Sequence, residues 1–194
     1  MLTLFCFACQ ENNNGNKKLN INYETIIDSS DKEFSKTWKE FSNAIIQNDK
    51  ATFRKLSVEC IYCTECVTNT NLEDSLFNIF RENNNEIWYD TLYNRLSFIS
   101  IDKFIAEDYN IIFTETVQKQ LSDNTKMNAL ESRIDNIVNI PYCLKKELTN
   151  NYPQKKEVLI TFNDKLENGE GWQIALDFIK TKDGYKFSSY STIP

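Results

Sequence analysis

Apolar residues recur every three or four positions from residue 30 to residue 121, the spacing of helices with one buried face. The first helix is predicted to begin at Ser30, because Ser30 and Glu33 have the spacing of a capping box. Its buried face would consist of Phe34, Trp38, Phe41 and Ile45. The chain therefore opens its folded part with an amphipathic helix.

Several further segments continue the helical spacing. A cap at Asp49 predicts a short second helix, and residues 72–81, 88–98 and 100–121 each carry apolar positions on one helical face. The face predicted to point inward in the first of these comprises Leu76, Phe77 and Phe80. Residues 127–140 fit a helix or a strand equally well.

The pattern changes from helical spacing to alternation near the C-terminus. Residues 157–162 are rich in β-branched and aromatic side chains, and residues 172–178 alternate apolar with polar or small ones. Asp183 and Gly184 form a strong hairpin signal, after which residues 185–193 return as the last strand. A three-stranded meander is therefore predicted to close the chain.

Helices followed by an antiparallel meander predict an α+β protein. This order, together with the final hairpin from residues 170–178 into 183–187, resembles the NTF2-like (cystatin-like) roll. The resemblance implies N-terminal helices packed on a C-terminal, antiparallel, curved β-sheet. It covers residues 30–194, which we expect to form a single domain.

The first nine residues, MLTLFCFAC, are apolar and end in a small residue and a cysteine. Ala8 suits a signal-peptide cleavage site, and Cys9 resembles the lipid-modified cysteine of a bacterial lipoprotein signal. The basic start of such signals is missing, and Cys6 stands where leucine is usual. A start codon upstream would account for both departures. The alternative is a buried strand over residues 2–8.

The lipoprotein resemblance implies a domain organisation and a location. Residues 1–8 would be the remnant of a signal peptide, and residues 9–29 a lipidated cysteine with a flexible, asparagine-rich tether. The protein would then sit in the cell envelope, on its periplasmic or surface side. Its expected partners are the membrane, through the lipid anchor, and a protein or small molecule that the sequence does not identify.

Composition excludes several classes of function. The chain has no histidine, which removes the commonest general base, every histidine-containing triad and all histidine-ligated metal sites. Its net charge of −6, without a basic patch, argues against binding to nucleic acid. No glycine-rich phosphate loop is present. We therefore predict no cofactor and no catalytic residue.

Four cysteines remain once Cys6 and Cys9 are set aside. They are Cys60, Cys63, Cys66 and Cys143. An even number in an oxidising compartment predicts two disulfides, for which three pairings are possible. Our prediction joins Cys143 to one member of the cluster. A Cys₄ zinc site ranks second, and redox catalysis by Cys60 and Cys63 ranks third.

The function that best fits these features is a non-catalytic module that binds a protein or a small ligand through the concavity of the sheet. A different class, a small pocket enzyme of the NTF2-like type, would use Asp177 with Tyr109 or Tyr142. Strand alternation places Asp177 opposite Phe178, where facing solvent is the simpler expectation. A third reading is an intracellular interaction protein of the immunity type with a Cys₄ metal site.

Overall fold

The N-terminal segment lies outside the part of the chain that can be described. A computed structural model describes residues 32–122, 127–133, 142–148, 154–162 and 171–193. The signal remnant 1–8, the acylated Cys9, the tether 9–29 and the capping Ser30 therefore stay predictions. Among the described residues, no helix combines the length and apolarity needed to cross a membrane.

The chain's first two helices agree with the sequence pattern. Helix α1 spans Lys32–Ile46 and helix α2 spans Lys50–Lys55. The predicted cap is present, because the Thr52 backbone N–H donates to Asp49 Oδ1 over 3.0 Å. Asn48, with a φ of 52°, takes the left-handed conformation that commonly ends a helix.

The middle of the chain consists of more and shorter elements than the periodicity predicts. Its elements are β1 (Ser57–Cys63), α3 (Asn71–Asn83), α4 (Trp88–Thr91), β2 (Phe98–Ser100), α5 (Ile101–Lys103), α6 (Tyr109–Ile112) and α7 (Glu115–Ser122). The prediction of a single helix over 88–98 is wrong at its end, since a π-helical turn at Leu92–Leu96 leads into β2. A second π-helical turn, Phe104–Asp108, joins α5 to α6.

The last part of the chain contains the predicted meander. Its elements are β3 (Met127–Arg133), α8 (Tyr142–Lys145), β4 (Gln154–Phe162), β5 (Trp172–Thr181) and β6 (Gly184–Ile193). Gly184 has a φ of 103°, which explains why glycine follows Asp183 in the turn. The ambiguous segment 127–140 begins as a strand, and residues 134–140 lie outside the described part.

The strands form one curved, unclosed sheet in the order β2-β1-β6-β5-β4-β3. The predicted α+β class with N-terminal helices is confirmed. The prediction of an antiparallel sheet is wrong at one place, because β1 runs parallel to β6 and makes the sheet mixed. The helices between these two strands carry the chain back across the sheet, which is what a parallel pair requires.

Helices cover one face of this sheet, which we call the helix-covered face. Phe34 of α1 contacts Phe178 of β5 edge-on, with ring centroids 5.4 Å apart. Phe53 of α2 meets Phe187 of β6 at 5.6 Å. Both rings of each pair are buried. The core therefore lies between the helices and the last two strands.

Candidate functional site

The helix-covered face is the side of the sheet on which the NTF2-like resemblance implies a ligand-binding concavity. Phe41 stands at its centre, with ring centroids 4.9 Å from Phe178, 5.1 Å from Phe187 and 5.3 Å from Phe53. All four rings have no measurable exposure. Phe104 and Phe113 extend the same cluster. Aromatic side chains therefore occupy the space where a bound ligand was expected.

Tyr109 belongs to this aromatic cluster. Its ring lies 5.0 Å from the ring of Phe53 and 5.1 Å from that of Phe113. Its hydroxyl has no hydrogen-bond partner among the described residues. Burial, and to a lesser extent the charge of Asp49, raises the pKa of Tyr109 to about 12. The phenol thus stays protonated near neutral pH and contributes mainly to packing.

Asp177 lies on the opposite, outer face of the sheet. It pairs with Glu157 on β4, while its neighbour Phe178 pairs with Lys156 and points toward the helices. Lys155 Nζ lies 2.7 Å from Asp177 Oδ2 and 3.4 Å from Glu157 Oε2. The face agrees with the alternation, but the expectation of solvent exposure is wrong, since the Asp177 side chain is 15% exposed.

Burial sets the protonation of this carboxyl group. It raises the pKa of Asp177 to about 6; Lys155 opposes the rise and Glu157 adds to it. Two carboxylates share one lysine, so the formal charges of these three side chains do not cancel when both carboxylates are ionised. An acid with such a pKa could transfer protons, but Tyr109 lies across the sheet from it.

Two of the three predicted pocket residues do not gather in one place, because Tyr109 and Asp177 are separated by the sheet itself. The third, Tyr142, begins α8, which contacts β1. The pocket-enzyme reading needs these groups around a shared cavity, and the described residues do not assemble one from them.

The four cysteines form two pairs at disulfide distance. Cys60 pairs with Cys143 across 83 residues, and Cys63 pairs with Cys66. The prediction that Cys143 joins the cluster is therefore confirmed, with Cys60 as its partner. The first bond attaches α8 to β1, where Glu147 also accepts a hydrogen bond from the Glu59 backbone N–H over 2.7 Å. Paired sulfurs leave no thiolate for a Cys₄ metal site.

Helices α3 and α4 with the turn after them form a helical hairpin, residues 71–93, that stands apart from the core. Its start is sharply defined, because Thr70 and Glu73 make a reciprocal capping box. Yet neither α3 nor α4 contains a single buried residue. The sequence analysis did not identify this cap, although Thr70 and Glu73 have the required spacing.

One line of large apolar side chains on α3 faces outward. Leu72, Leu76 and Ile79, which we call the apolar stripe, are 69%, 57% and 56% exposed. They lie within about 60° of one another around the helix axis. The prediction that Leu76 points inward is therefore wrong. Of the predicted inner face, only Phe77 and Phe80 are partly covered.

A shallow groove of about 300 Å³ lies beneath the inner side of α3. Its apolar lining comprises Cys66, Val67, Leu76, Phe77, Phe80, Leu96 and Ile99. Lys103 and Glu73 also line it and form an ion pair of 3.2 Å. Of the stripe, Leu76 also lines the groove together with the partly buried rings Phe77 and Phe80, whereas Leu72 and Ile79 do not.

Aromatic rings continue the exposed surface from α3 onto α4. Phe77 meets Trp88 at 6.2 Å, and Trp88 meets Tyr89 at 5.5 Å. Tyr89 and Tyr93 follow at 4.6 Å, and a hydrogen bond with Tyr89 raises the pKa of Tyr93. Tyr89 and Tyr93 are both exposed. Tyrosine and tryptophan are enriched where proteins bind one another.

The hairpin is therefore the candidate functional site, and the sequence analysis missed it. The available signal was the apolar spacing itself, because Leu72, Leu76 and Ile79 recur at intervals of four and three residues. That spacing predicts an apolar line without saying whether it is covered. Comparisons with protein-family models, curated proteins and solved structures found no match.

Proposed function

We propose that the chain is a non-catalytic, lipid-anchored protein of the cell envelope that binds a protein through its helical hairpin. The observation that carries this proposal is the apolar stripe on α3, exposed beside the aromatic row of α4. Contiguous apolar patches on a soluble domain mark interaction surfaces more often than not. The hairpin replaces the sheet concavity as the binding surface.

Two features favour binding over catalysis. Phenylalanine rings pack against one another at the centre of the helix-covered face, where the pocket of an enzyme would lie. The acidic group with a raised pKa, Asp177, shares Lys155 as its ion-pair partner with Glu157, an arrangement typical of structural ion pairs. The helices packed into a curved sheet and the long final hairpin support the NTF2-like resemblance as part of the proposal.

The anchoring part of the proposal rests on Cys9 and on the disulfide pairs, which suit an oxidising compartment. The intact mass of the protein from its native host, before and after reduction, tests both together. We expect loss of residues 1–8, acyl chains on Cys9, and a gain of two hydrogens for each of the two disulfides on reduction. An unmodified Met1 terminus with four free core thiols would overturn this part.

A matched pair of variants isolates the anchor. Cys9→Ala removes the acceptor and should release the protein from the membrane fraction. Cys6→Ala changes the neighbouring cysteine of the same segment and should leave the protein membrane-bound and labelled by a fatty-acid analogue. Equal behaviour of the two variants would show that Cys9 is not the anchor.

The binding part is tested by introducing a negative charge into the apolar surface. Leu76→Glu places a carboxylate in the middle of the stripe and should abolish retention of the binding partner after cross-linking in the native envelope. Ile111→Glu makes the same chemical change at a residue that is 45% exposed but lies on α6, outside the hairpin. Loss with both variants, or with neither, would contradict a binding role for the hairpin.

A further inference from the structure

We infer that the Cys63–Cys66 disulfide is a site of thiol–disulfide exchange, at which a cysteine thiol of a partner protein attacks Cys66 through the groove beneath α3. This inference goes beyond the proposed function, because it concerns the groove and not the outer side of the hairpin. It is argued from the size of the disulfide loop, from the place of Cys66 in the groove and from a hydrogen bond that Cys63 accepts.

The two disulfides differ in how much the fold keeps them closed. Cys63 and Cys66 close a loop of separation 3, whereas Cys60 and Cys143 are joined across 83 residues. In the chain-entropy view a short loop adds less to folding stability, and by linkage the fold adds less to the stability of that bond. Disulfide oxidoreductases use the same C-x-x-C spacing. Reduction of the short loop should therefore leave most of the fold in place, and the long one serves as an internal control.

Cys66, and not Cys63, is among the residues that line the groove. The groove holds about 300 Å³, and its other lining residues are apolar except Glu73 and Lys103. A thiol that enters the groove therefore meets Cys66 first. The apolar lining favours a cysteine whose neighbours in the partner are themselves apolar. The substrate class is thus a protein thiol in an apolar stretch of chain.

Helix α3 acts as a cover over the groove. Cys63 and Cys66 are both fully buried while the cover is closed. The cover is held by the partly buried rings of Phe77 and Phe80, yet α3 and α4 contain no buried residue. Little of the core therefore depends on the hairpin, and segments of this kind open locally at low cost. The attacking thiol reaches Cys66 in the open form, and the fraction of open hairpin sets the rate.

Cys63 is suited to be the sulfur that leaves. The backbone N–H of Cys66 donates a hydrogen bond to Cys63 Sγ over 3.2 Å. When the disulfide opens, the same donor stabilises the negative charge on the Cys63 thiolate. In this step the partner's thiolate attacks Cys66 Sγ, a new S–S bond joins the partner to Cys66, and the electron pair of the old bond stays on Cys63.

The exchange is balanced by the partner's own thiols. The first step breaks one disulfide and forms another, so it needs no separate oxidant. A second thiolate of the partner then attacks the partner's sulfur in the mixed disulfide and releases Cys66. The partner loses two electrons and two protons, and Cys63 and Cys66 gain them as two thiols. Each chain reacts once, which is compatible with a non-catalytic binding protein.

The exchange is tested on the full chain carrying Cys6→Ser and Cys9→Ser, in which the two disulfides hold all remaining cysteines. The probe is a capped peptide with two cysteines among leucines, and its control has serines in place of the leucines. Thiols are alkylated at intervals and located by mass spectrometry. We expect Cys63 and Cys66 to be alkylated about tenfold faster than the cysteines of the control disulfide, and about tenfold faster with the leucine peptide. Equal rates for the two disulfides, or for the two peptides, would overturn the inference.

Two single-sulfur variants in the same background test which sulfur is attacked. Cys63→Ser leaves the Cys66 thiol at the groove, and Cys66→Ser leaves the Cys63 thiol behind it. Each variant is treated with a single-cysteine leucine peptide activated as a disulfide with an aromatic thiol. Cys66 should capture the peptide about tenfold faster, because access limits exchange. Equal or faster capture by Cys63 would overturn the inference. If near-ultraviolet circular dichroism shows that either variant is unfolded, the order of alkylation decides.

The cover is tested with Thr70→Ala, which removes the side chain that caps α3. Loss of a cap of ordinary strength raises the open fraction about fivefold, so the Cys63–Cys66 bond should exchange about fivefold faster. Thr70→Ser retains the hydroxyl and should exchange at the wild-type rate. Exchange at the control disulfide should be the same in both variants. A rate at Cys63–Cys66 that Thr70→Ala leaves unchanged would overturn access through the groove.

Leu72→Glu separates this inference from the proposed function. Leu72 lies on the stripe but outside the lining of the groove, so this variant should lose the binding partner and keep the exchange. Absence of exchange in every variant, together with loss of the partner in Leu76→Glu, would overturn the exchange and leave the proposed function standing. Exchange that persists while the stripe variants keep their partner would overturn the proposed function alone.

Discussion

The helix-covered face and the helical hairpin use the same kinds of side chain in opposite ways. Phe41 follows the helical spacing of α1 and Phe178 follows the alternation of β5, and both side chains are fully buried. Leu72 and Ile79 have an equally regular spacing and stand mostly in solvent. Periodicity predicts where apolar side chains line up, but the amount of surrounding structure decides whether they become core.

The two regions also differ in what holds them. The aromatic cluster is enclosed by α1, α2 and the two longest strands, and each central ring touches several others. The hairpin relies on a capping box, the groove under Phe77 and Phe80, and the Lys103–Glu73 ion pair. One region is therefore expected to set the global stability, and the other to set what the protein binds.

The largest effect should come from the core. Phe41→Ala is expected to cost about 3–5 kcal/mol of unfolding free energy, because it leaves a cavity between three rings. Leu76→Ala should change it by less than about 0.5 kcal/mol. Urea unfolding measures both. Similar costs of the two substitutions would mean that the hairpin is part of the core.

The two disulfides should also differ in how much each contributes to the unfolding free energy. Replacing Cys60 and Cys143 by alanine removes a bond that closes a loop across 83 residues, and the chain-entropy view assigns it about 4 kcal/mol. The Cys63–Cys66 bond closes a loop of separation 3, for which the same view gives about 2 kcal/mol. Thermal unfolding of the two double variants compares them. A larger loss for the short loop would show that local packing outweighs loop entropy.

A pH-dependent effect is expected from the outer face of the sheet. The folded-state pKa of Asp177, about 6, is above its ordinary value of 3.8, so the folded protein holds its proton more tightly than the unfolded chain does. The contribution of Asp177 to stability is therefore fully present below the ordinary value and is lost, by about 3 kcal/mol, as the pH rises through the folded value.

Asp177→Asn should remove that fall, as measured by urea midpoints across this pH range. Asp183→Asn, an exposed aspartate in the β5–β6 turn, serves as the control and should keep the fall. An Asp177→Asn pH profile that runs parallel to that of the wild type would contradict the raised pKa.

The smallest effect should be local to the hairpin. Thr70→Ala removes the side chain that accepts the Glu73 backbone N–H and should cost about 1 kcal/mol. Hydrogen exchange should quicken across α3 and stay unchanged in β5 and β6, because Thr70 makes its capping hydrogen bonds with Glu73 of α3. Thr70→Ser retains the hydroxyl and should restore protection. Faster exchange in β6 would mean that the hairpin and the core unfold as one unit.

Much of the fold could be predicted from local chemistry. The cap at Asp49, the helix over 72–81 and the turn at Asp183 and Gly184 each depend on neighbours within a few residues. Strand β1 was missed because the alternation of Val58, Glu59 and Cys60 ends at Ile61 and is too short to identify a strand. It becomes a strand by pairing with β2 and β6, which lie far along the chain.

The candidate site was harder to predict than the fold. The sequence placed Asp177 on the correct face but could not know that Lys155 and Glu157 would enclose it. Tyr109 and Asp177 were grouped because both suit a pocket, and only the sheet between them shows that they are apart. Leu76 was assigned to the core because of its helical spacing. The sequence does not show which distant segments cover a given helix face.

The sequence by itself determined the α+β class, most helix and strand positions, and the participation of Cys143 in a disulfide with the cysteine cluster. These follow from periodicity, caps and residue chemistry, which act over short distances. Tertiary structure alone decided that β1 runs parallel to β6, that Cys60 is the partner of Cys143, and that the apolar stripe is left uncovered. Each depends on which distant segments contact one another, because those contacts decide whether a side chain is buried.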